Sequence, residues 1–380
     1  MAEMACRACG QRAGVVVLDL DEQPASDYFP RWEDPGPDPL YPLQMWLCSS
    51  CGLAQLVADP TVPDEPRGAE PAALIAQAAD AVSQVAAAGF LPPGARVAEY
   101  GSPHGGSWLG NLAARGLALA ADGEPADVVL DCFGLMHSAH QASALAGRVA
   151  RVAPGGVLLL QYHSLAAIVR FGQWNALRHG HYAYYSTAAL TNMLASHGFR
   201  PRAAWQFPLY GGTVLLAAER AEAAGADVGR AHPADGIQAL LAAEASAGVG
   251  DPVALRRMQD SVQARASALH DWLVSERSAG RSVLGYGAAS RAVSLLRYAR
   301  ADRSILPAVV DASPAKHGRR MPGTDIPVVS PDELAARRPD GVLLLLSDLL
   351  AEVRASFPEV EQAGGKWVDA DTIGAATAHG

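Results

Sequence analysis

Two matched cysteine pairs near the amino terminus constrain the fold of this chain more than any other feature. They are Cys6 and Cys9, followed by Gly10, and Cys48 and Cys51, followed by Gly52. A spacing of two residues lets both thiolates of a pair reach one metal ion, and the glycine permits the tight turn around it. Four thiolates fill a tetrahedral shell, so the pattern predicts a structural zinc ion. A redox dithiol and metal-free thiols are the alternatives.

Length and charge limit the classes of protein to which this chain can belong. A chain of 380 residues exceeds what one hydrophobic core usually serves. The net charge of −9 argues against nucleic acid as a partner, because phosphate binding requires a basic surface. We find neither a signal-peptide pattern nor an apolar run of about 18 residues, so we expect no membrane partner and a cytoplasmic location.

Apolar strands alternate with helices through most of the chain, which predicts parallel, doubly wound sheets. The fold class is therefore α/β, with an N-terminal four-cysteine zinc-binding domain plus two doubly wound, Rossmann-like α/β domains. In the last domain we expect a strand over residues 305–310. The expected parts are a zinc-binding domain (1–62), a helical linker (63–90), a shortened methyltransferase-like domain (91–220), a helical connector (221–278) and a C-terminal Rossmann-like domain (279–376).

The first glycine-bearing turn follows the strand at Arg96 and precedes a helix. Its residues Glu99, Gly101 and Gly105 fit the Glu-x-Gly-x-x-x-Gly form of class I methyltransferases, in which the turn packs against S-adenosylmethionine. We therefore expect the cofactor to contact Glu99, Gly101, Ser102 and Gly105. An acidic residue about 20 positions later usually binds the ribose hydroxyls, and Asp122 and Glu124 are in range. A turn that only packs a helix on a sheet is the alternative.

The second glycine-bearing turn opens the last domain. It contains Gly285, Tyr286, Gly287, Ser290 and Arg291. Backbone N–H groups at the start of a helix, together with an arginine, can hold a phosphate group. We expect this turn to bind a nucleotide phosphate, with a packing turn as the alternative.

Several histidines lie near predicted strand ends, where α/β folds place their ligands. They are His137, His163, His179 and His181. A histidine can act as a general base near neutral pH because its ordinary pKa is near 6.5. Convergence of these rings would suit proton abstraction or polarisation of a carbonyl group; a second metal site and purely structural roles are the alternatives.

The order of these parts resembles the sugar-nucleotide C-methyltransferases, which methylate a 4-keto-deoxysugar attached to dTDP. The zinc knuckles match, as does Tyr210-Gly-Gly-Thr213, where the family has a His-Gly-Gly-Ser type element. The C-terminal domain matches over 285–289, 311–318 and 322–327. The resemblance implies that S-adenosylmethionine donates the methyl group, and that Tyr210, Lys316 and the second glycine turn hold the nucleotide sugar.

The resemblance also implies the catalytic residues. In the family, a histidine within a Tyr-x-Glu-His element removes a proton beside the ketone, and the resulting enolate attacks the methyl group. Here the stretch is Arg178-His-Gly-His181, so His181 matches the base while Arg178 and Gly180 replace the tyrosine and the glutamate. A second family histidine falls on His137, which would orient or polarise the ketone, and we include the adjacent His179 among the candidates. Glu124 takes the ribose position.

The segment between Gly101 and His137 is shorter than in the family. It spans 36 residues, which is roughly half of what the family usually has. Because a βαβ unit needs about 30 residues, this comparison predicts that at least one such unit is missing. In the family that unit forms part of the adenosine pocket, so its loss would weaken binding of the cofactor. The alternatives to methyl transfer are a cofactor-independent epimerase or isomerase and a non-catalytic homologue that binds a sugar nucleotide.

Overall fold

The computed structural model describes residues 4–34, 36–61, 70–221 and 234–374. Three separate sheets organise these residues. Residues 1–3, 35 and 62 of the predicted zinc-binding domain, parts of the predicted linker (63–69) and connector (222–233), and the end of the predicted last domain (375–376) lie outside the described residues.

The first sheet is antiparallel and carries the zinc knuckles. It contains, in spatial order, Gly14–Pro24 (β1), Leu40–Cys48 (β2), Ala54–Leu56 (β3) and Ala183–Tyr184 (β8). The register pairs Gly14 with Cys48, so the chain leaving the first knuckle runs beside the second. The short strand β8 comes from a distant part of the chain and joins the segment around His181 to the zinc-binding region.

The second sheet is doubly wound and mixed. It contains, in spatial order, Ala118–Leu119 (β5), Arg96–Gly101 (β4), Ala126–Cys132 (β6), Val152–His163 (β7), Thr213–Arg220 (β10) and Phe199–Phe207 (β9). The strands from β5 to β7 are parallel, whereas β10 runs antiparallel to β7 and β9. Between β4 and β6 the chain forms only one short helix and the two-residue β5, which is less than a full βαβ unit.

The third sheet is parallel throughout, as expected for a Rossmann-like fold. It contains, in spatial order, Val328–Val329 (β13), Val309–Val310 (β12), Val283–Tyr286 (β11), Gly341–Leu344 (β14) and Lys366–Asp369 (β15). The predicted strand over 305–310 is wrong for its first four residues. The backbone N–H groups of Ile305 and Leu306 close a turn on the carbonyl of Asp302, and Pro307 has no N–H group to donate.

Helices cover the sheets and connect them. The longest, α7, buries Leu255, Leu269 and Leu273 in the core shared by the zinc-binding region and the third sheet. Among the described residues, no helix combines the length and the apolar character needed to cross a membrane. The helices are Ala72–Ala87 (α1), Leu109–Ala113 (α2), Gln141–Arg151 (α3), Leu165–Arg170 (α4), Thr187–Ala195 (α5), Ala234–Ala247 (α6), Pro252–Ser278 (α7), Ser290–Tyr298 (α8), Asp332–Arg337 (α9), Leu350–Ser356 (α10) and Glu359–Gln362 (α11).

Candidate active site

The four predicted zinc ligands converge at one end of the first sheet. The sulfur atoms of Cys6 and Cys51 are 3.5 Å apart, those of Cys9 and Cys48 are 3.6 Å apart, and all four lie within 4.8 Å of one another. A tetrahedron with Zn–S bonds of about 2.3 Å has edges of about 3.8 Å, so the four sulfurs fit one zinc ion. The shell is filled by protein thiolates, which assigns the ion a structural role.

A cavity of about 260 Å³ lies at the carboxyl edge of the second sheet, between that sheet and the C-terminal domain. The first glycine turn and the end of β6 form one side of it, and the start of α8 forms another. Its lining includes Ser102, His104, Gly105, Phe133, Met136, His137, His163, Arg178, His181, Tyr210, Ser290, Arg291, Lys316 and Asp348. The structure thus brings together most of the catalytic and substrate-binding residues predicted from the sequence.

A buried polar network holds His137 in place at the end of β6. The carboxylate of Asp131 accepts hydrogen bonds from the backbone of Leu135 (2.9 Å) and from the guanidinium of Arg148 (2.5 Å). The ring Nδ1 of His137 donates to the carbonyl oxygen of Gly180 (3.0 Å), because that oxygen can only accept. Asp131 thus holds the backbone two residues before His137, and the bond to Gly180 orients the ring.

Arg178 lies at the centre of the site and joins three parts of the chain. Its Nη1 donates to Asp27 (2.8 Å), which follows β1, and to Ser290 (2.5 Å), which begins α8. Its Nη2 donates to the Nε2 atoms of His181 (2.5 Å) and His104 (3.1 Å). Arg178 therefore couples the zinc-binding region and the C-terminal sheet to the histidine cluster.

The hydrogen bonds of Arg178 determine the tautomers of two histidines. A guanidinium can only donate, so the Nε2 atoms of His104 and His181 accept and both rings are neutral. Burial, followed by the positive charge of Arg178, lowers the pKa of His181 well below its ordinary value. Ring nitrogens of His104, His137 and His181 lie within 4.8 Å of one another, close enough to share a metal ion. The guanidinium already uses two of these lone pairs, however, and this favours the metal-free arrangement.

Three predicted cofactor residues do not line the cavity. The carboxylate of Glu99 accepts from the hydroxyl of Ser107 and the backbone of Trp108, each at 2.6 Å, and so closes the glycine turn. Gly101 pairs with Phe133 across the ends of β4 and β6. Glu124 lies just before β6, where its carbonyl accepts from Arg151 at the end of α3, and this is the amino edge of the sheet. The structure therefore does not bring Glu124 to the site.

His179 is also absent from the cavity, although it is close to His181 in sequence. Gly180 has a φ of +83°, and this turn separates the two rings. His179 is buried, donates from Nε2 to the carbonyl of Pro42 (3.3 Å) and packs edge-on against Tyr41. These contacts connect His179 to the zinc-binding region and not to the cavity.

Only part of the second glycine turn lines the cavity, and its other residues are packed within the C-terminal domain. A Cβ on Gly285 would lie 2.9 Å from Val309, and Tyr286 packs against Phe357 and Trp367, away from the cavity. Gly287 donates its N–H to the carbonyl of Val310. Gly285, Tyr286 and Gly287 therefore do not line the cavity, because the first two pack in the sheet and the third closes the turn.

The remaining substrate candidates line the cavity but already have protein partners. Arg291 pairs with Asp371 (3.1 Å), and Lys316 donates from Nζ to the carbonyl of Ala288 (2.8 Å). Tyr210 has a φ of +57°, which is unusual for an aromatic residue, and its ring contacts that of Phe133 edge-on. Such strain is concentrated at functional sites.

Some residues of the site were not predicted from the sequence. His104 lies within the glycine turn, and Asp27 and Asp348 have no motif around them. A histidine inside a Gly-rich turn at a strand end was the one available signal. It was missed because the turn was assigned to cofactor packing.

The buried His163 predicts a measurable acid sensitivity. Burial lowers its pKa to about 4, whereas the ordinary value is near 6.5. The fold favours the neutral ring, so its contribution to stability is full above pH 6.5 and is lost as the pH falls towards 4. When the pH falls from 7 to 4, the free energy of unfolding of the wild type should decrease by up to about 3 kcal/mol more than that of His163→Gln. Urea unfolding at both pH values measures this.

The exposed His140 provides the control for this prediction. His140→Gln should lose as much stability on acidification as the wild type. An equal loss in His163→Gln would show that the ring of His163 is not the source of the acid sensitivity.

Comparison with known proteins agrees with this architecture. Residues 6–63 match a family model described as "Putative zinc binding domain", and residues 208–370 match "C-methyltransferase C-terminal domain". C-methyltransferase NovU from Streptomyces niveus is 25% identical over 403 residues, which cover 96% of this chain and 94% of NovU. The two models together span more than half of the chain. The chain therefore carries the zinc-binding domain and the C-terminal domain that these models describe for C-methyltransferases, and the predicted zinc-binding domain is confirmed.

Solved methyltransferase structures resemble only part of the chain. Magnesium protoporphyrin IX methyltransferase from Synechocystis PCC 6803 is 17% identical with a TM-score of 0.29, and the match covers 39% of this chain and 84% of that one. The 1,6-didemethyltoxoflavin-N1-methyltransferase from Burkholderia thailandensis is 17% identical with a TM-score of 0.28, and the match covers 44% and 95%.

Proposed function

We propose that this protein methylates the carbon beside the ketone of a nucleotide-linked keto-deoxysugar by way of an enolate. One observation carries the proposal: neutral imidazoles and a guanidinium converge on a cavity beside the first glycine turn. The match to the C-terminal domain model supports C-methylation, and the motifs at 178–181 and 210–213 support the keto-sugar. The keto-sugar would lie in the cavity, which opens between the second and third sheets.

The side chains of the cavity account for enolate formation. A neutral imidazole can accept the proton beside the ketone, and the family motif assigns this role to His181 with His137 beside it. The positive charge of Arg178 stabilises negative charge that develops on the ketone oxygen, because the site is buried and the guanidinium is held rigidly by Asp27 and Ser290.

S-adenosylmethionine would supply the methyl group, and the site fits it in part. Gly101 and Gly105 have open space where a Cβ would lie, so a ligand can approach the turn closely. The ribose contact expected from Glu124 is missing, since that residue lies at the opposite edge of the sheet. We assign the turn residues Ser102 and Gly105 to the methionine end of the cofactor.

The second candidate function is epimerisation or isomerisation of the same sugar without a methyl donor. The short connection between β4 and β6 and the position of Glu124 favour it, because both remove support for the adenosine. The proton removed by the histidine would then return to carbon.

Binding of S-adenosylmethionine separates the two candidates. If the protein is a methyltransferase, we expect calorimetry to give a dissociation constant on the order of tens of micromolar, within the usual range for enzyme substrates. An absence of heat at millimolar cofactor would contradict methyl transfer. Uptake of solvent deuterium into a dTDP-4-keto-deoxysugar under those same conditions would support epimerisation.

A further inference from the structure

We propose that His137, rather than His181, removes the proton, and that His181 donates a hydrogen bond to the ketone oxygen. This assignment rests on the proposed function and specifies which cavity residue performs each part of it. It follows from the hydrogen-bond partners of the two rings. The lone pair of His181 faces Arg178, whereas the lone pair of His137 does not.

The hydrogen-bond partners of His181 indicate that this ring donates a hydrogen bond to the substrate. Its Nε2 accepts from Arg178 Nη2 at 2.5 Å, so the ring proton is on Nδ1. Protonation at Nε2 would break this bond and place an imidazolium against a guanidinium. A neutral imidazole with a lowered pKa can instead polarise a carbonyl through its N–H group.

The hydrogen-bond partners of His137 indicate that this ring acts as the base. Its Nδ1 donates to the carbonyl of Gly180, so in the neutral ring the lone pair is on Nε2, which lies 3.5 Å from the hydroxyl of Ser102 on the glycine turn. Gly180 is itself fixed, because its N–H donates to Asp59 at 2.6 Å. When His137 gains a proton, its bond to Gly180 becomes charge-assisted and stabilises the imidazolium.

The step is balanced without any further reactant. The proton beside the ketone moves to Nε2 of His137, and the electron pair of the C–H bond becomes the C=C bond of the enolate. The π electrons of the ketone move to its oxygen, which accepts the hydrogen bond from Nδ1 of His181. The imidazolium of His137 and the enolate are the products of this step.

Asparagine variants distinguish a donor from a base. The amide nitrogen of asparagine lies near the position of the histidine Nδ1, so it can replace the donor but not the base at Nε2. The readout is the rate of deuterium uptake by a dTDP-4-keto-deoxysugar. We expect this rate to be about 10²–10⁴-fold below that of the wild type in both His137→Asn and His137→Ala. The exchange rate of His181→Ala should be about 10²–10³-fold below that of the wild type, whereas the rate of His181→Asn should be close to that of the wild type. Added imidazole should restore exchange in His137→Ala, because its lone pair can replace the missing base.

Other outcomes would overturn the assignment in identifiable ways. Equal losses in His181→Asn and His181→Ala would return the role of base to His181. His140→Asn, outside the cavity, should exchange at the wild-type rate. Nitrogen-15 NMR gives a readout without substrate, and a proton on Nε2 of His181 would contradict the proposal. If the wild type exchanges no deuterium, the proposed function fails and the assignment fails with it.

Discussion

Replacement of Cys48 by serine should remove the bound zinc and lower the free energy of unfolding by more than about 4 kcal/mol, as expected for loss of a structural metal. Cys48 is 1% exposed and ends β2, so its sulfur is fixed by the sheet and cannot be replaced by a neighbouring ligand. Binding of structural zinc contributes directly to folding, because the unfolded chain has no preformed site.

Loss of zinc should also impair the active site, as a consequence of lost structure. Arg7 lies between the first two ligands and donates to the carbonyl of Ala139 (2.9 Å), two residues after His137. Its guanidinium also lies over the ring of Tyr182, which follows His181. We therefore expect activity to fall in step with unfolding when a chelator removes the metal.

Metal analysis and calorimetry together test this prediction. The wild type should contain one zinc ion per chain, and Cys48→Ser should contain much less, with a lower Tm. The buried Cys132 is the matched control, because Cys132→Ala should retain the full zinc content. A Cys48→Ser variant with full zinc content and an unchanged Tm would show that the thiol of Cys48 is not a ligand.

The parts predicted well from the sequence are those whose evidence is local. The cysteine pairs needed only their spacing and the following glycines. The alternation of strands and helices likewise predicted the α/β sheets. The histidine cluster was predicted in part, because His137 and His181 follow recognisable elements. The role of Arg178 depends on Asp27 and Ser290, which are distant in sequence, and no local pattern could have indicated it.

Three of the predicted site residues lie outside the cavity for a common physical reason, since each was placed by assuming a side-chain direction that differs in the fold. Glu124 was placed by counting from Gly101, but β5 has two residues and returns the chain to the amino edge. His179 was grouped with His181, but the turn at Gly180 separates them. Gly285 was included in the substrate-binding turn, but its lack of a side chain is needed for close packing against Val309.

A buried ion pair fixes the zinc-binding region on the C-terminal sheet. The guanidinium of Arg320 donates to both carboxylate oxygens of Asp38, at 2.7 and 2.5 Å, and the side chains are 4% and 6% exposed. Nearby backbone contacts extend the junction, because Arg320 also donates to the carbonyl of Asp34 and Gly323 donates to Asp38. The same interface positions Asp27 and Ser290 around Arg178.

Replacement of Arg320 by alanine should therefore lower the free energy of unfolding by about 3–5 kcal/mol, because it leaves the carboxylate of Asp38 buried without its countercharge. Arg303→Ala is the control, since its pair with Asp325 is 63% and 54% exposed and should contribute no more than about 1 kcal/mol. Urea unfolding of both variants measures the difference. Equal losses would mean that water reaches the Asp38–Arg320 pair in solution. In that case this contact would not hold the two regions together around the cavity.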